Sequence, residues 1–313
     1  LPITEMDHLK AVLADWVEES KKLAHHGQVA AYIPELSHSP HEALGIHITS
    51  IEGDSVSAGN CGTLFTMQSI SKVFTLIMAL MDRGEDAVFS KVGKEPSGDN
   101  FNSMLKLELV EPGIPFNPFI NAGAIVVSSL IAGDGPNDKK ARVLDFFRRI
   151  AGNDSLDYNH AVYRSESDTG HRNRSLAYFL KENGVLMDDV EDVLDVYFHH
   201  CAVEVTCADL ARMAVLLASG GVDPISGESL IPRRFVQIAK TFMITCGMYN
   251  ASGEFAIEVG LPAKSGVSGG IMTIVPGRYG IGVVGPALNR KGNSVAGVHL
   301  LERLSSEFDW SIF

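Results

Sequence analysis

A chain of 313 residues, 45% hydrophobic and 20% charged, can bury one large core or two modest ones, and 30 glycines with 13 prolines are too ordinary for a collagen-like or low-complexity chain. A formal net charge of -12, with no long Lys/Arg run to offset it, argues against a nucleic-acid partner and suits a small-molecule pocket. No stretch approaches the roughly 18 uninterrupted apolar residues that mark a membrane span, and no basic-then-apolar leader opens the chain.

Cys61, Cys201, Cys207 and Cys246 are widely spread, with no Cys-x-x-Cys pair for zinc or redox chemistry, so a reduced, cytoplasmic protein is expected. The chain starts at Leu1 and not at a methionine, so that expectation rests on the cysteines more than on the missing leader.

Residues 6–24 place Leu9, Val12, Leu13, Trp16 and Val17 on one helical face. Residues 29–36 and 44–51 read as strands, and a third short strand at 56–59 follows the turn Glu52-Gly53-Asp54. This opening predicts an antiparallel meander with a helix across one face. A helical middle follows at 69–83, 121–133, 141–152, 173–184 and 207–221, several of these ending in glycine as helix C-caps do. Strands return at 269–276 and 279–285, a hairpin turning at Gly277-Arg278, and a helix over about 294–308 closes the chain. The pattern predicts an α/β plus all-α class: an antiparallel sheet flanked by helices, with an inserted helical domain. The sheet part would be discontinuous, 1–66 and 235–313, and the helical domain would span 67–234, with the active site at the boundary.

Gln68-Ser69-Ile70-Ser71-Lys72 stands where the meander gives way to a strongly apolar helix. Ser and Lys three apart at a helix start share a face, so Lys72 Nζ can reach Ser69 Oγ and take the proton that activates a serine nucleophile. The helix N-terminus adds free N–H groups for a developing oxyanion. Chance supplies roughly one Ser-x-x-Lys in a chain of this length, and Ser103-Met104-Leu105-Lys106 is a second match in a polar, loop-like stretch. Lys264-Ser265-Gly266 precedes the hairpin, where a strand edge can donate backbone hydrogen bonds to a substrate. Tyr249 lies between them and can relay a proton if a nearby ammonium lowers its pKa. Alone, each reads as ordinary turn or surface structure. In this order they resemble the serine β-lactamases and penicillin-binding proteins, with Ser265 in place of the usual Thr and Tyr249 unusually close to Lys264.

A closer resemblance is carried by Tyr32-Ile33-Pro34-Glu35-Leu36, the 68–72 segment, Phe116-Asn117-Pro118-Phe119-Ile120-Asn121-Ala122-Gly123-Ala124, Glu166 with Asn173, Cys246-Gly247-Met248-Tyr249, and Lys264-Ser265-Gly266-Val267-Ser268-Gly269-Gly270. From about residue 30 to 285 these are similar to the bacterial and mitochondrial glutaminases of β-lactamase-like fold. The resemblance implies an enzyme without a cofactor that hydrolyses L-glutamine to L-glutamate and ammonia through a γ-glutamyl-Ser69 acyl-enzyme. It implies Lys72 and Tyr249 as proton-transfer partners and the backbone N–H groups of Ser69 and Val267 as the oxyanion hole. Tyr32, Asn121, Glu166, Asn173 and Tyr197 would complete the glutamine site, and a homo-oligomer, dimer or tetramer, is expected. Glu166 would neutralise the substrate's α-ammonium, while Asn and Tyr would hydrogen-bond its α-carboxylate without adding charge. Lys264 and burial would depress the Lys72 pKa, and the two ammonium groups would help Tyr249 lose its proton.

His25-His26, His38-x-x-His41 and His199-His200 contain no His-Glu-x-x-His helix, and no metal is expected. Two other readings remain open: a penicillin-recognising hydrolase, and a silent amino-acid-binding module, against which the joint presence of Ser69, Lys72 and Tyr249 argues.

Overall fold

In a computed structural model describing residues 2–104, 107–108 and 113–313, strands from both ends of the chain meet in one antiparallel sheet. In chain order the strands are β1 (Gly45–Ser50), β2 (Ser55–Gly59), β3 (Phe65–Thr66), β4 (Glu204–Val205), β5 (Ala263–Ser265), β6 (Gly270–Val275) and β7 (Tyr279–Val284). The sheet has five strands in the order β2-β1-β7-β6-β5, and β3 pairs with β4 in a separate two-stranded ladder. The register sets Ile46 opposite Val283 and Ile48 opposite Ile281. With period-two alternation these side chains share one face, where they join Ile271 and Val275 in a core closed by two helices.

Those two helices are the chain's first and last, Glu5–Lys21 and Val295–Phe308. Thr4 and Asp7 form a reciprocal capping box at the start of the first. Leu9, Leu13, Trp16 and Val17 from one, and Leu300, Leu301 and Leu304 from the other, are buried against the sheet. Each such side chain contributes roughly 1.5–3 kcal/mol by leaving water.

The opposite face carries the helix Cys207–Ala218, and its seat depends on glycine. A Cβ on Gly280 would lie 2.1 Å from Val215 N, and one on Gly282 would lie 2.3 Å from Cys207 O. Helix backbone rests directly on strand backbone, which any side chain there would prevent. Beyond this helix lies the larger core, centred on the helix Ser71–Arg83, in which every residue from Ser71 to Leu80 is buried. A helix apolar all round belongs at a core's centre. Asn121–Leu130 and Arg233–Cys246 pack against it, the latter through Val236, Ala239, Phe242 and Met243.

An antiparallel sheet flanked by helices, with an inserted helical region, matches the predicted class. The predicted strand at 29–36 does not form. Gln28 makes a single bridge to Leu288, and Pro34–His38 is a 3-10 turn with proline at its start. Proline removes a ladder donor and fixes φ. The segment instead folds over the helical side, where Ile33 and Leu36 pack with Val162, Val267 and Leu288. The predicted 69–83 helix begins as a 3-10 turn, Gln68–Ile70. Leu105 and Lys106 of the second Ser-x-x-Lys lie outside the described residues. No helix among the described residues is long and apolar enough to cross a membrane.

Candidate active site

Ser69 occupies the 3-10 turn Gln68–Ile70, between β3 and the buried central helix. The residue before it, Gln68, has φ 49°. A side chain held in that left-handed region costs about 1–3 kcal/mol and persists only where its surroundings over-determine it. Here Gln68 Nε2 donates to Thr66 Oγ1 at 3.0 Å, and Ser71 Oγ donates to the Gln68 carbonyl at 2.8 Å. Met67 N donates to Val203 O at 2.8 Å. On the other side the Gly266 backbone presses in so closely that a Cβ there would meet Met67 O at 2.5 Å. The strained turn leaves Ser69 9% exposed, with its hydroxyl beside that of Tyr249. Among the described residues, neither the Ser69 nor the Val267 backbone N–H has an acceptor, so both remain free to receive an oxyanion.

Lys72, one turn on from Ser69, is buried. Its Nζ donates to Asn121 Oδ1 at 2.7 Å and to the Phe119 carbonyl at 3.2 Å. Those bonds, not one to Ser69, hold the ammonium in this state. Burial pushes the Lys72 pKa down to about 8, against smaller upward influences from Cys201 and Glu166. Lys264 is also buried and donates to the Ser265 and Gly247 carbonyls at 2.7 and 3.1 Å. Burial, then the charge of Lys72, holds its pKa well below that of a free lysine.

Tyr249 also has a positive φ, 54°, and its buried Oη makes no hydrogen bond of ordinary geometry. The expected lowering of its pKa is overturned. Burial raises it, and the nearby Ser69 and Ser265 hydroxyls offset this only in part. Lys264 Nζ sits over the face of the ring, 4.4 Å from its centroid. The phenol is therefore protonated at neutral pH, and Lys72 is the group that can lose a proton there.

A smaller cavity beside Lys72 is lined by Tyr32, Phe101, Asn121, Glu166 and Asn173. Asn121 Nδ2 donates to Asn173 Oδ1 at 3.0 Å, extending the hydrogen bond that begins at Lys72. Glu166 is buried, and its Oε2 has no hydrogen-bond partner. Burial raises its pKa to about 8, with Lys72 pulling the other way. Glu166 and Asn173 flank a corner between the helices His160–Thr169 and His171–Glu182. Gly170 makes that corner, because a Cβ there would lie 2.6 Å from Phe198 Cζ and 2.8 Å from Glu166 O. Tyr197 is buried, and burial together with Cys201 and Glu166 raises its pKa. Tyr32 leaves 55% of its surface open, while burial at its phenol oxygen and the charge of Glu166 raise its pKa.

The structure brings the nine predicted site residues near one another: Tyr32, Asn121, Glu166 and Asn173 line the small cavity, Lys72 bonds Asn121, Ser69 and Val267 lie against Tyr249, and Tyr197 feels the charge of Glu166. Two neighbouring residues were not expected from the sequence to shape the site. Phe101 lies 5.0 Å from the Tyr249 ring and 6.4 Å from that of Tyr32, and lines both the small cavity and another of about 390 Å³. Gln68 belongs to a quoted motif, but its backbone conformation appears only in three dimensions.

A family model described as Glutaminase matches residues 27–313. The glutaminase of Alkaliphilus metalliredigens (strain QYMF) is 55% identical over 287 residues, which is 92% of this chain and 94% of that protein. A glutaminase of Clostridium botulinum (strain Loch Maree) is 52% identical over 305 residues, 97% of this chain and 100% of the relative. Among solved structures, a Bacillus glutaminase superposes with a TM-score of 0.91 at 43% identity, covering 97% of this chain and 99% of that one. The covalent complex of a Bacillus subtilis glutaminase with 5-oxo-L-norleucine superposes with a TM-score of 0.88 at 42% identity, covering 97% and 99%.

Proposed function

The chain belongs to the glutaminase family, and from that premise we propose how its residues share the reaction. The enzyme hydrolyses L-glutamine to L-glutamate and ammonia through a serine acyl-enzyme. Ser69 Oγ attacks the side-chain carbonyl carbon, and the oxyanion is received by the Ser69 and Val267 N–H groups. The serine proton passes to the neutral amine of Lys72, with Tyr249 relaying it onward to the leaving nitrogen. The C–N bond breaks and ammonia departs. A water molecule, deprotonated by the same groups, then cleaves the γ-glutamyl ester and restores Ser69. Around the substrate, Glu166 pairs with the α-ammonium. Tyr32, Asn121, Asn173 and Tyr197 supply hydrogen bonds to the rest of the amino-acid head.

The observation that carries this assignment is Glu166: a buried carboxylate with one oxygen unpartnered. A buried anion is unfavourable until a cation joins it, and the α-ammonium of glutamine is that cation. The test is ammonia release from glutamine and asparagine beside hydrolysis of a chromogenic cephalosporin. Ammonia from glutamine with an intact cephalosporin is expected. Cephalosporin hydrolysis without ammonia would transfer the site to penicillin-recognising chemistry. Tight glutamine binding without turnover would leave a binding module.

We infer also that the enzyme works in the cytoplasm as a homo-oligomer, dimer or tetramer. The four unpaired cysteines support the compartment, and the family resemblance supports the assembly. Light scattering of the purified chain tests the latter.

A further inference from the structure

His200 is fully buried and has no role in the scheme above. Its Nδ1 lies 2.7 Å from Ser71 Oγ and its Nε2 lies 2.9 Å from Ser128 Oγ. Each serine also has a carbonyl in reach: Gln68 O at 2.8 Å from Ser71 Oγ, and Ala124 O at 2.8 Å from Ser128 Oγ. Burial and the nearby Lys72 charge keep the imidazole neutral, with a pKa pushed down to about 3. A neutral ring has one N–H. We assign it to Nδ1, the shorter contact, which leaves the Ser71 proton on the Gln68 carbonyl. Nε2 then accepts from Ser128, whose proton is shared with Ala124 O.

The resulting chain joins two parts of the site. One end is the carbonyl of Gln68, whose φ of 49° orients Ser69. The other end is the helix Asn121–Leu130, whose first residue accepts the Lys72 hydrogen bond at 2.7 Å. The neighbouring His199 faces elsewhere, donating from Nδ1 to the Asp195 carbonyl at 2.7 Å, so the paired histidines do separate jobs.

We propose that His200 is a positioning residue for glutamine hydrolysis: through Ser71 it holds the Gln68–Ser69 turn, and through Ser128 it sets that turn against the helix bearing Asn121. Losing it lets the nucleophile drift while Glu166 and Asn173 still grip the amino-acid head. The loss therefore falls on kcat and spares KM, and a misplacement of about 1 Å is worth roughly 100-fold in rate.

The inference rests on Ser69 as nucleophile, and the experiment separates the two. His200→Leu keeps an apolar bulk and removes both hydrogen bonds. His200→Asn returns an amide at the Nδ1 position. The Leu variant is expected to lose about ten- to hundredfold in kcat with KM changed by less than about threefold, and Asn recovers much of the loss. Ser71→Ala breaks the same chain, so the double variant His200→Leu/Ser71→Ala is no slower than the worse single one. Wild-type kcat in His200→Leu, multiplied losses in the double variant, or Asn no better than Leu would each overturn the proposal. If His200→Leu does not fold, Ser71→Ala decides, and undiminished kcat there rejects the chain. An active Ser69→Ala would sink the nucleophile reading itself. An inactive Ser69→Ala beside an unimpaired His200→Leu would sink only the role of His200.

Discussion

Lys72 Nζ donates to Asn121 Oδ1 at 2.7 Å, so the lysine proposed to take the serine proton and an amide proposed to bind substrate are held by one hydrogen bond. Asn121 in turn presents its Nδ2 to Asn173 Oδ1 at 3.0 Å. On the proposed roles, proton transfer and recognition are coupled through a single side chain.

Asn121→Asp tests this coupling. A carboxylate in that place favours the ammonium form and lifts the Lys72 pKa from about 8. Catalysis needs the amine, so the rising limb of the kcat–pH profile should move to alkaline pH by roughly one unit or more, and activity at pH 7 should fall. A profile measured from about pH 6 to 10 reads this directly. A limb that stays in place would disconnect Lys72 from it.

Ser69→Ala should remove nearly all ammonia release, because loss of a covalent nucleophile costs several powers of ten. Ser103→Ala should stay within about threefold of wild type. Intact-mass analysis of an acid-quenched reaction should show the glutamyl adduct in wild type and in Ser103→Ala but not in Ser69→Ala. An adduct that persists in Ser69→Ala would move the nucleophile elsewhere.

The site residues that the sequence suggested first sit in contiguous motifs. Ser69-x-x-Lys72 and Lys264-Ser265-Gly266 lie far apart along the chain, and β5 returns beside the 68–70 turn, where the Gly266 backbone meets Met67. Strong periodicity located the first and last helices and the β6–β7 hairpin. The failures have tertiary causes. The 29–36 segment has strand-like residues, but no open sheet edge receives it and Pro34 starts a turn. The raised pKa of Tyr249 comes first from burial, which is not visible in a string of letters. The close seat of the Cys207–Ala218 helix on Gly280 and Gly282 is likewise a tertiary fact.

Glu166→Gln should raise KM for glutamine by about ten- to hundredfold, the worth of one charge-assisted hydrogen bond. In the free enzyme the Glu166 pKa is raised to about 8 by burial, and the arriving ammonium lowers it. Below that pH, binding must expel a proton, so wild-type KM should fall as pH rises toward 8, while KM of the Gln variant should be flat over the same range. Asparagine should be a poor substrate for both, since its amide stops one methylene short when the α-groups are anchored. Steady-state kinetics with both amino acids test this, and equal kcat/KM for the two would remove the anchoring role.

Tyr249→Phe separates the two proton carriers. Burial keeps the phenol protonated through the physiological range, whereas Lys72 titrates near 8. Roughly one Lys72 in ten is then an amine at pH 7, enough to take the Ser69 proton if Tyr249 carries it onward. Removing the hydroxyl should therefore depress kcat strongly and leave KM nearly unchanged. The rising limb should stay near pH 8, because that limb belongs to Lys72. Lys72→Ala should be at least as damaging and should abolish the limb. If the limb vanishes in Tyr249→Phe while Lys72→Ala retains it, the titrating group is the tyrosine, and the raised phenol pKa does not describe the substrate complex. Full activity in Tyr249→Phe would instead leave Lys72 passing its proton through water.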